Sequence, residues 1–584
     1  MAIDVTAMTE GDEYRFIFRD SKYPYVLRLC QATIGNEIYR GLGLRAPWFE
    51  GKGYNAWYHN GFMDIFINQK PCLSGPGIAS KYPLLFNRCE IMETGKRALV
   101  QYIWEREEAT VRLRFLAHPD SRALLAEILI DPKQQIDSLI IKAFCFPGAY
   151  TSDNKGKRRL KTAVREEKSV TKVELNPQAE NWMLFYDQQY DMADPVWGKY
   201  SMNGCAGLYL HPDDFEIVKV ELTGYTVEIK AEAKKGVTRL RFAFDELPMA
   251  YTNALTTMLA EAPKVQGLLK EDIFQPAFLS SFDLEQEQQK VKRMASGNID
   301  RARIESLNTE LINIHKAIVA FKANVKKTVK EEQAILLALE SYTRQALTVA
   351  RQRDEMIRIF EVRGIGHSKY ELSKAVEIPG KDKAELTGGY LYLQNQGAFY
   401  RYIKPFPVTR EEMYRYDVFV LMDIDTRAIP PQQINMLREY VEDGGGLIMF
   451  GGYFSYGASN IKDTVLYELL PVTIEKAPLG LRKASSSSVL KVVQQVAFLQ
   501  DLSFDEQLVC PWYHELVPRN DAQVVIVNGD APWLVIRPAG KGRVIACAGT
   551  ILGNQPPDKR MFYDWSSWQG CLWRMIKWAS GKNG

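Results

Sequence analysis

The chain has 584 residues, of which 46% are hydrophobic, and its 74 lysines and arginines nearly balance its 71 aspartates and glutamates. At roughly 100–200 residues per domain, this length predicts three or four domains. The near-neutral charge excludes a strong overall attraction to nucleic acid or to an anionic membrane.

The ends and apolar runs of the sequence predict a cytoplasmic protein. Residues 1–13 contain neither a basic segment nor an apolar one, so they do not resemble a secretory signal. No run approaches the ~18 apolar residues that a membrane-spanning helix needs. We therefore expect no membrane partner and no nucleic-acid partner.

The cysteines give no sign of a metal centre. No two of them form a CxxC pair, and no histidine stands at zinc-ligand spacing from them. In a chain of this size they are expected to be reduced and mostly buried. We predict no metal site and no cofactor. The eight cysteines are Cys30, Cys72, Cys89, Cys145, Cys205, Cys510, Cys547 and Cys571.

The N-terminal region, residues 1–254, is predicted to be rich in β-strands. Turn residues separate the strand-like runs, and no long helical pattern intervenes. This rhythm is typical of an antiparallel β-sandwich. The runs lie at 14–19, 63–68, 98–104, 110–116, 139–146, 217–222, 226–231 and 238–244.

Aromatic residues are dense in this region and have two interpretations. Most are expected to pack in the core between the sheets, whereas exposed rings could stack on sugars. Trp57, Tyr58 and Trp197 lie in clusters that interrupt the strand rhythm. They are therefore the residues we predict to reach the surface and to stack on a carbohydrate.

Residues 255–355 are predicted to form a helical connector. Apolar residues follow one another at steps of three and four from Ile304 to Val325, which is the seam of an amphipathic helix. Thr328 and Glu331 match a capping box. We predict two antiparallel helices, 299–324 and 329–355. The alternative is one long coiled-coil helix that joins copies into a homo-oligomer.

Strands and helices alternate through residues 356–584. The pattern predicts a doubly wound, flavodoxin-like α/β domain, so the whole chain is expected to be a multidomain α+β protein. The predicted strands are 357–362, 390–393, 417–422, 447–450, 523–527, 533–537 and 543–547, and the predicted helices are 369–376, 431–442, 464–469 and 565–578.

Two segments of this region carry a resemblance to a known family. Residues 416–425, YDVFVLMDID, and 434–456, INMLREYVEDGGGLIMFGGYFSY, resemble the glutamine-amidotransferase-like family of bacterial proteins. LLPV at 469–472, GKGRV at 540–544 and the tryptophan-rich C-terminal helix add to it. The resemblance implies the class I glutamine-amidotransferase-like fold, which is related to the ThuA-like domain and to the trimerisation domain of some β-galactosidases. Residues before 350 resemble no family.

The catalytic residues that the resemblance implies are missing. Catalytic members of the wider fold carry a nucleophilic cysteine in the turn after the strand that matches 447–450, together with a His-x-Glu pair. Here the turn reads Gly-Gly-Tyr-Phe-Ser at 451–455, and His514 and Glu515 are adjacent. Ser455 does not fit a Gly-x-Ser-x-Gly elbow, because Tyr453 replaces the first glycine. Glutaminase activity is therefore not expected.

A ligand site is predicted at one edge of the C-terminal sheet. Open α/β sheets bind ligands beyond the carboxyl ends of their strands, and paired glycines there let a ligand approach the backbone. The catalytic residues stay unknown. The candidate ligand-binding residues are His367, Asn395, Asp423, Asp425, Gly451, Gly452, Tyr453 and Ser455.

Three functions follow from these patterns. The first is a catalytically degenerate amidotransferase-like protein that binds a small molecule or carbohydrate, or serves assembly, in carbohydrate-related metabolism. The second is a glycan-directed hydrolase or lyase with its site in the N-terminal sandwich or in a cleft between domains. The third is a true glutamine amidotransferase. Whether the protein is an enzyme stays open at this point.

Overall fold

The structure is a computed structural model, and it describes most of the chain. The residues that it describes are 3–10, 13–18, 25–34, 37–45, 56–57, 62–72, 86–148, 158–193, 203–224, 226–294, 301–324, 329–352, 354–364, 367–378, 383–395, 399–407, 409–429, 431–459, 461–474, 480–504 and 507–582.

The chain divides into two compact units. The first comprises Met1–Met8 and Asp12–Ser281, and the second comprises Thr9–Gly11 and Phe282–Gly584. The boundary near Ser281 falls inside the stretch 255–355 that the sequence assigns to a connector. The division into 1–254, 255–355 and 356–584 stays a prediction.

The first unit consists mainly of antiparallel strands. They are β1 (Val5–Glu10), β2 (Glu13–Phe18), β3 (Val26–Ile34), β4 (Glu37–Arg45), β5 (Met63–Ile67), β6 (Lys70–Pro71), β7 (Phe86–Glu93), β8 (Ala98–Glu105), β9 (Ala109–Ala117), β10 (Leu124–Pro132), β11 (Leu139–Cys145), β12 (Arg158–Thr162), β13 (Glu166–Glu167), β14 (Lys172–Leu175), β15 (Trp182–Asp187), β16 (Cys205–Leu210), β17 (Phe215–Thr223), β18 (Thr226–Ala233) and β19 (Arg239–Leu247).

Two large sheets of this unit share one apolar core. A nine-stranded sheet has the order β13-β12-β15-β16-β19-β10-β9-β8-β7, and a six-stranded sheet has the order β14-β17-β18-β11-β5-β6. Ala126 and Ile128 of the first sheet and Ile141 and Val220 of the second belong to the same buried cluster. β1–β4 form a further four-stranded sheet. The predicted antiparallel sheets are thus confirmed.

The outer face of the nine-stranded sheet is also buried, because a helix covers it. α1 (Tyr251–Lys270) and the short α2 (Ala277–Ser281) follow β19. Side chains alternate across a strand, and Leu125 of β10 points away from Ala126 and packs in a second cluster with Met258 and Val265 of α1. β10 is therefore apolar on both faces from Leu124 to Ile130, apart from Glu127, which bonds Arg114 and Arg239.

Arginines of this sheet hold the carboxyl end of α1 and the turn after it. Arg241 donates to the carbonyl oxygen of Leu269 at 3.0 Å, and Arg114 donates to that of Phe274 at 3.3 Å. Arg97 donates to Ile273 and Gln275. The last carbonyls of a helix have no partner inside it and carry its negative end. The guanidinium groups donate hydrogen bonds to these carbonyl oxygens and place positive charge next to the negative end of the helix.

The second unit begins with helices. α3 (Leu284–Met294) precedes α4 (Arg301–Ala323) and α5 (Val329–Arg351). Arg303 bonds Gln352 at 2.5 Å, and Asn324 bonds Glu331 at 3.2 Å. The start of α4 therefore meets the end of α5, and the two helices form an antiparallel hairpin, the first of the two predicted alternatives. Thr328 of the predicted capping box lies outside the described residues.

An α/β region follows the hairpin. Its elements are β20 (Ile357–Arg363), α6 (Leu372–Glu377), β21 (Ala384–Asn395), β22 (Phe399–Lys404), α7 (Arg410–Met413), β23 (Val418–Met422), α8 (Pro431–Glu442), β24 (Gly446–Phe450), β25 (Val472–Thr473), β26 (Leu481–Lys483), β27 (Leu490–Val492), β28 (Leu508–Val509), β29 (Trp512–His514), β30 (Val517–Pro518), β31 (Gln523–Asn528), β32 (Ala531–Ala539), β33 (Gly542–Cys547), β34 (Arg560–Met561) and α9 (Trp568–Ser580).

The main sheet of this region is mixed. Its order is β22-β21-β20-β23-β24-β33-β32-β31-β27. The five strands from β21 to β33 run parallel, and antiparallel strands flank them on both sides. The predicted helix 464–469 is a 3₁₀ turn, Val465–Leu469. The other predicted strands and helices of this region are present; α8 has the predicted ends, and the others begin or end at different residues.

Both faces of this sheet are covered. Leu437 of α8 packs in one buried cluster with Phe419 of β23. Leu572 of α9 packs in another with Val420 of the same strand. Because both of its faces are buried, β23 is a continuous apolar run. Among the described residues, no helix is long and apolar enough to cross a membrane.

Two buried carboxyl groups tie the first unit together. Glu246 accepts the backbone N–H groups of Ala56, at 2.6 Å, and Trp57, at 3.3 Å. Asp245 accepts from Arg122 at 3.1 Å and from the hydroxyl of Tyr25 at 3.2 Å. Burial raises the pKa of Glu246 to about 8 and that of Asp245 to about 6.

We predict that Glu246→Gln weakens the pH dependence of the first unit's stability. A carboxyl whose pKa is raised by folding disfavours the fold once the unfolded chain ionises. The free energy of unfolding should therefore fall as the pH rises from about 4.5 to about 8, and glutamine should remove most of this slope. Urea unfolding between pH 5 and 8.5 measures it. Glu216→Gln, at an exposed carboxylate of β17, is the control, and an unchanged slope in Glu246→Gln would contradict the prediction.

Candidate functional site

The carboxyl ends of the parallel strands meet at one edge of the second unit's sheet. The chain leaves β20 toward β21 on one side and later returns as β23 on the other. Such a switch point opens the crevice where α/β sheets bind ligands. Gly364, after β20, donates its N–H to the carbonyl oxygen of Met422 at 2.8 Å. Because Gly364 has no side chain, it can lie directly against the backbone of Asp423.

The turn after β24 has no room for side chains at its first two positions. A Cβ atom on Gly452 would overlap the carboxyl group of Asp423, and one on Gly451 would overlap the carbonyl oxygen of Gly549. Both contacts would be shorter than 3.0 Å, which real Cβ atoms essentially never show. These two positions therefore require glycine.

Asp423 holds the turn in place. Its side chain is buried, 2% exposed, and accepts the N–H of Phe454 at 2.5 Å. Its own backbone is left-handed, with φ of 55°, a conformation that aspartate tolerates better than most residues. The carboxylate thus occupies the space directly beside the turn.

His514 reaches the same turn from β29. Its Nε2 atom lies 2.9 Å from the carbonyl oxygen of Gly452 and 3.3 Å from that residue's N–H. The shorter contact assigns the Nε2 proton to the bond with the carbonyl, since one ring nitrogen cannot donate and accept there together. The ring packs edge-on against Tyr456 at 5.0 Å.

Two buried tyrosines complete the site. Tyr370 donates to the carbonyl oxygen of Gly451 at 2.9 Å, and Tyr456 donates to that of Met449 at 2.9 Å. Burial raises the pKa of both hydroxyls well above their usual range, so they act as hydrogen-bond donors. Tyr370 and His514 contact Gly451 and Gly452 across 81 and 62 residues of sequence, so local sequence patterns could not place them at this turn.

The structure brings only some of the predicted ligand residues together. Asp423, Gly451 and Gly452 are in contact. Ser455 is buried and donates to the carbonyl oxygen of Phe450 at 2.7 Å, so it satisfies the backbone of its own turn. Tyr453 is 50% exposed.

The remaining predicted ligand-binding residues are Asp425, Asn395 and His367. Asp425 is buried and its carbonyl oxygen accepts from Ala428 at 3.0 Å. Asn395 ends β21, and His367 begins a 3₁₀ turn. The side chains of Asn395 and His367 lie outside the described part of the structure.

The cysteines near the site are buried thiols. Cys510 donates to the carbonyl oxygen of Trp512 at 3.1 Å, and burial raises its pKa to about 11. Burial also raises the pKa of Cys547 well above its usual range and that of Cys571 to about 12. A thiol attacks as thiolate, so none of these is an activated nucleophile at neutral pH. The described residues contain no group of three His, Cys, Asp or Glu side chains that could hold a metal ion.

The predicted sugar-stacking surface is not found at Trp57. This residue is fully buried, its indole N–H donates to the carbonyl oxygen of Asp245 at 3.1 Å, and its ring packs against Phe62 and Phe244. The prediction that Trp57 is exposed was wrong. Its backbone N–H donates to the buried Glu246, and its ring packs in the apolar core. Tyr58 and Trp197 lie outside the described residues.

The parallel sheet, the turn after β24 and His514 beside it belong to the α/β region of the second unit. Residues 392–580 match the sequence model of a family described as "Putative glutamine amidotransferase". The second unit therefore carries a glutamine-amidotransferase-like domain, which confirms the resemblance read from the sequence. No curated protein matches the chain.

Solved structures that match part of the chain include two Salmonella typhimurium proteins. Cytoplasmic Protein STM1381, from strain LT2, is 19% identical, with a TM-score of 0.32, over 38% of this chain and 99% of that one. Cytoplasmic Protein STM3548 is 21% identical, with a TM-score of 0.32 and the same coverage. A β-galactosidase from Rahnella sp. R3 is 12% identical, with a TM-score of 0.24, over 43% of this chain and 34% of that one.

We predict that Gly452→Ala destabilises the second unit by about 2 kcal/mol, the usual scale of overpacking. The added methyl group must displace the carboxyl group of Asp423. Urea unfolding followed by tryptophan fluorescence measures the change.

Gly570→Ala is the matched control for that measurement. Gly570 lies in α9 with nothing within 4 Å of its added Cβ. Alanine there should stabilise the helix by about 0.5–1 kcal/mol. Equal stability of the two variants would refute the steric argument.

Proposed function

We propose that the second unit is a doubly wound, flavodoxin-like amidotransferase domain that has lost glutaminase chemistry and serves as a binding or assembly module. One observation carries the proposal. At the turn where a nucleophilic cysteine would stand, Gly451 and Gly452 have no space for any side chain. The site therefore lacks both the thiol and the room for it.

The neighbouring groups support the same conclusion. Hydrolysis of glutamine needs a thiolate and a base that accepts its proton. The nearby His514 directs Nε2 at a backbone carbonyl, and the hydroxyl of Ser455 donates to Phe450. Both groups are engaged in holding the turn.

A ligand at this edge would meet Tyr453. Asp423 and Tyr456 have left-handed backbones, with φ of 55° and 49°, and strained residues concentrate at functional sites. The half-exposed Tyr453 directly precedes Phe454, whose N–H donates to Asp423. A small molecule or peptide is the class of ligand that we propose, whereas a role in carbohydrate metabolism, or a glycan-directed activity, stays a prediction.

We predict that the protein releases no glutamate or ammonia from glutamine above background. An endpoint glutamate assay at high protein concentration tests this, with an active class I glutamine amidotransferase as the positive control. Gly452→Cys should be equally inactive, because the Cβ atom of the cysteine would overlap Asp423. Glutamate release that disappears in Cys510→Ser would contradict the proposal.

We also predict that one class of small molecule raises the melting temperature of the second unit by a few degrees at saturation. A thermal-shift screen against amino acids, sugars and nucleotides measures this. Tyr453→Ala should abolish the shift, whereas Val493→Ala, another exposed apolar side chain of the same unit, should keep it. If no class of molecule raises the melting temperature, the small-molecule role is excluded and the assembly role remains.

A further inference from the structure

The end of α5 contacts the α/β region of the second unit. Arg344 donates to both carboxylate oxygens of Asp443, at 2.7 and 3.0 Å. Seven residues later, the guanidinium group of Arg351 lies over the ring of Tyr440, and its Cζ atom is 5.0 Å from the ring centroid. Arg351 is the last residue of α5 and is only 6% exposed. The helical hairpin therefore meets the α/β region through charged and aromatic side chains.

Two glycines before β24 make this contact part of a larger polar cluster. A Cβ atom on Gly445 would lie 2.2 Å from the ring of Tyr440, so only glycine fits beside that ring. The next residue, Gly446, donates its N–H to the carbonyl oxygen of Asp417 at 2.9 Å. Burial raises the pKa of the Tyr440 hydroxyl, and the charges of Arg351 and Asp417 also act on it. The three side chains are therefore neighbours.

Asp417 is the buried carboxylate of this cluster. Its Oδ2 atom accepts the backbone N–H of Arg358 at 2.8 Å and the ammonium group of Lys582 at 3.0 Å. The same ammonium nitrogen is 3.0 Å from Oδ1, but none of the described residues makes a hydrogen bond of good geometry to Oδ1. One oxygen of the carboxylate is therefore satisfied, and the other has an ion pair without a hydrogen bond.

Three buried polar atoms of the cluster make no hydrogen bond within the described part of the chain. They are Nη1 of Arg351, the hydroxyl oxygen of Tyr440 and Oδ1 of Asp417. A guanidinium nitrogen can only donate, a carboxylate oxygen can only accept, and a hydroxyl group can do either. Buried polar atoms are nearly always satisfied, because a lost hydrogen bond there is costly. The cluster therefore suits a molecule that accepts and donates at the same time.

We propose that this cluster binds one internal water molecule. The water accepts from Arg351 and from the hydroxyl of Tyr440, and it donates to Oδ1 of Asp417, which gives it the roughly three hydrogen bonds usual for a buried water. A chloride ion cannot donate to the carboxylate, and a metal cation would be repelled by Arg351 and Lys582. The water joins α5, α8 and the residue before β23, so it helps to hold the hairpin on the α/β region.

A high-resolution crystal structure of the full, unmodified chain tests the position of the water. Ordered density should lie within about 3.2 Å of all three atoms. A crystal soaked in bromide should show no anomalous signal there, because an anion would lie against Asp417. Two results would overturn the inference: a bromide signal at this position, or a direct hydrogen bond between Arg351 and Oδ1 of Asp417 with no density between them.

Thermal melts of a conservative variant give a second, independent test. Tyr440→Phe should lower the melting temperature of the second unit by about 2–4 °C, because the water then loses one donor. A hydroxyl that bonds nothing predicts the opposite sign, since its removal relieves a buried polar group. Tyr453→Phe, at a half-exposed tyrosine of the same unit, is the matched control and should melt as the unmodified protein does.

A melting temperature of Tyr440→Phe equal to or above that of the unmodified protein would contradict the inference. The crystal structure needs no variant, so it decides the question even where Tyr440→Phe does not fold. The cluster shares no residue with the turn at Gly451 and Gly452. Its test is therefore independent of the proposed function.

Discussion

The C-terminal domain depends on a close approach of backbone segments at one edge of its sheet. The turn at Gly451 and Gly452 lies against Gly549 and against the carboxyl group of Asp423, with no space for a Cβ atom. His514 fastens the turn from a fourth segment. Close packing at this point leaves no space for a side chain at either glycine. The turn is therefore held by contacts from three other segments of the chain.

Local patterns predicted the elements that border this site. β23 and α8 were predicted within a residue of their observed ends. β23 is buried on both faces and reads as an apolar run, and glycines at 444–446 mark the end of α8. β21 was predicted too short, because Gly388 and Gly389 look like strand breakers. In the sheet they are required, since Glu361 and Pro405 press against them.

Contacts between distant segments could not be predicted in this way. His514 meets Gly452 across 62 residues of sequence, and Tyr370 meets Gly451 across 81. Trp57 was predicted to be exposed because its cluster interrupts the strand rhythm. In the structure, the carboxyl group of Glu246 accepts the backbone N–H of Trp57. Periodicity shows that a side chain has an apolar face, but it does not show which surface covers that face.

The arginines that hold the end of α1 have a consequence for how the first unit can be cut. A fragment that ends at residue 254 would lack the carbonyl groups of Phe274 and Leu269, to which Arg114 and Arg241 donate. It would also expose the side of the nine-stranded sheet that α1 covers. Bare apolar surface favours aggregation. The smallest independent piece of this unit therefore extends to Ser281.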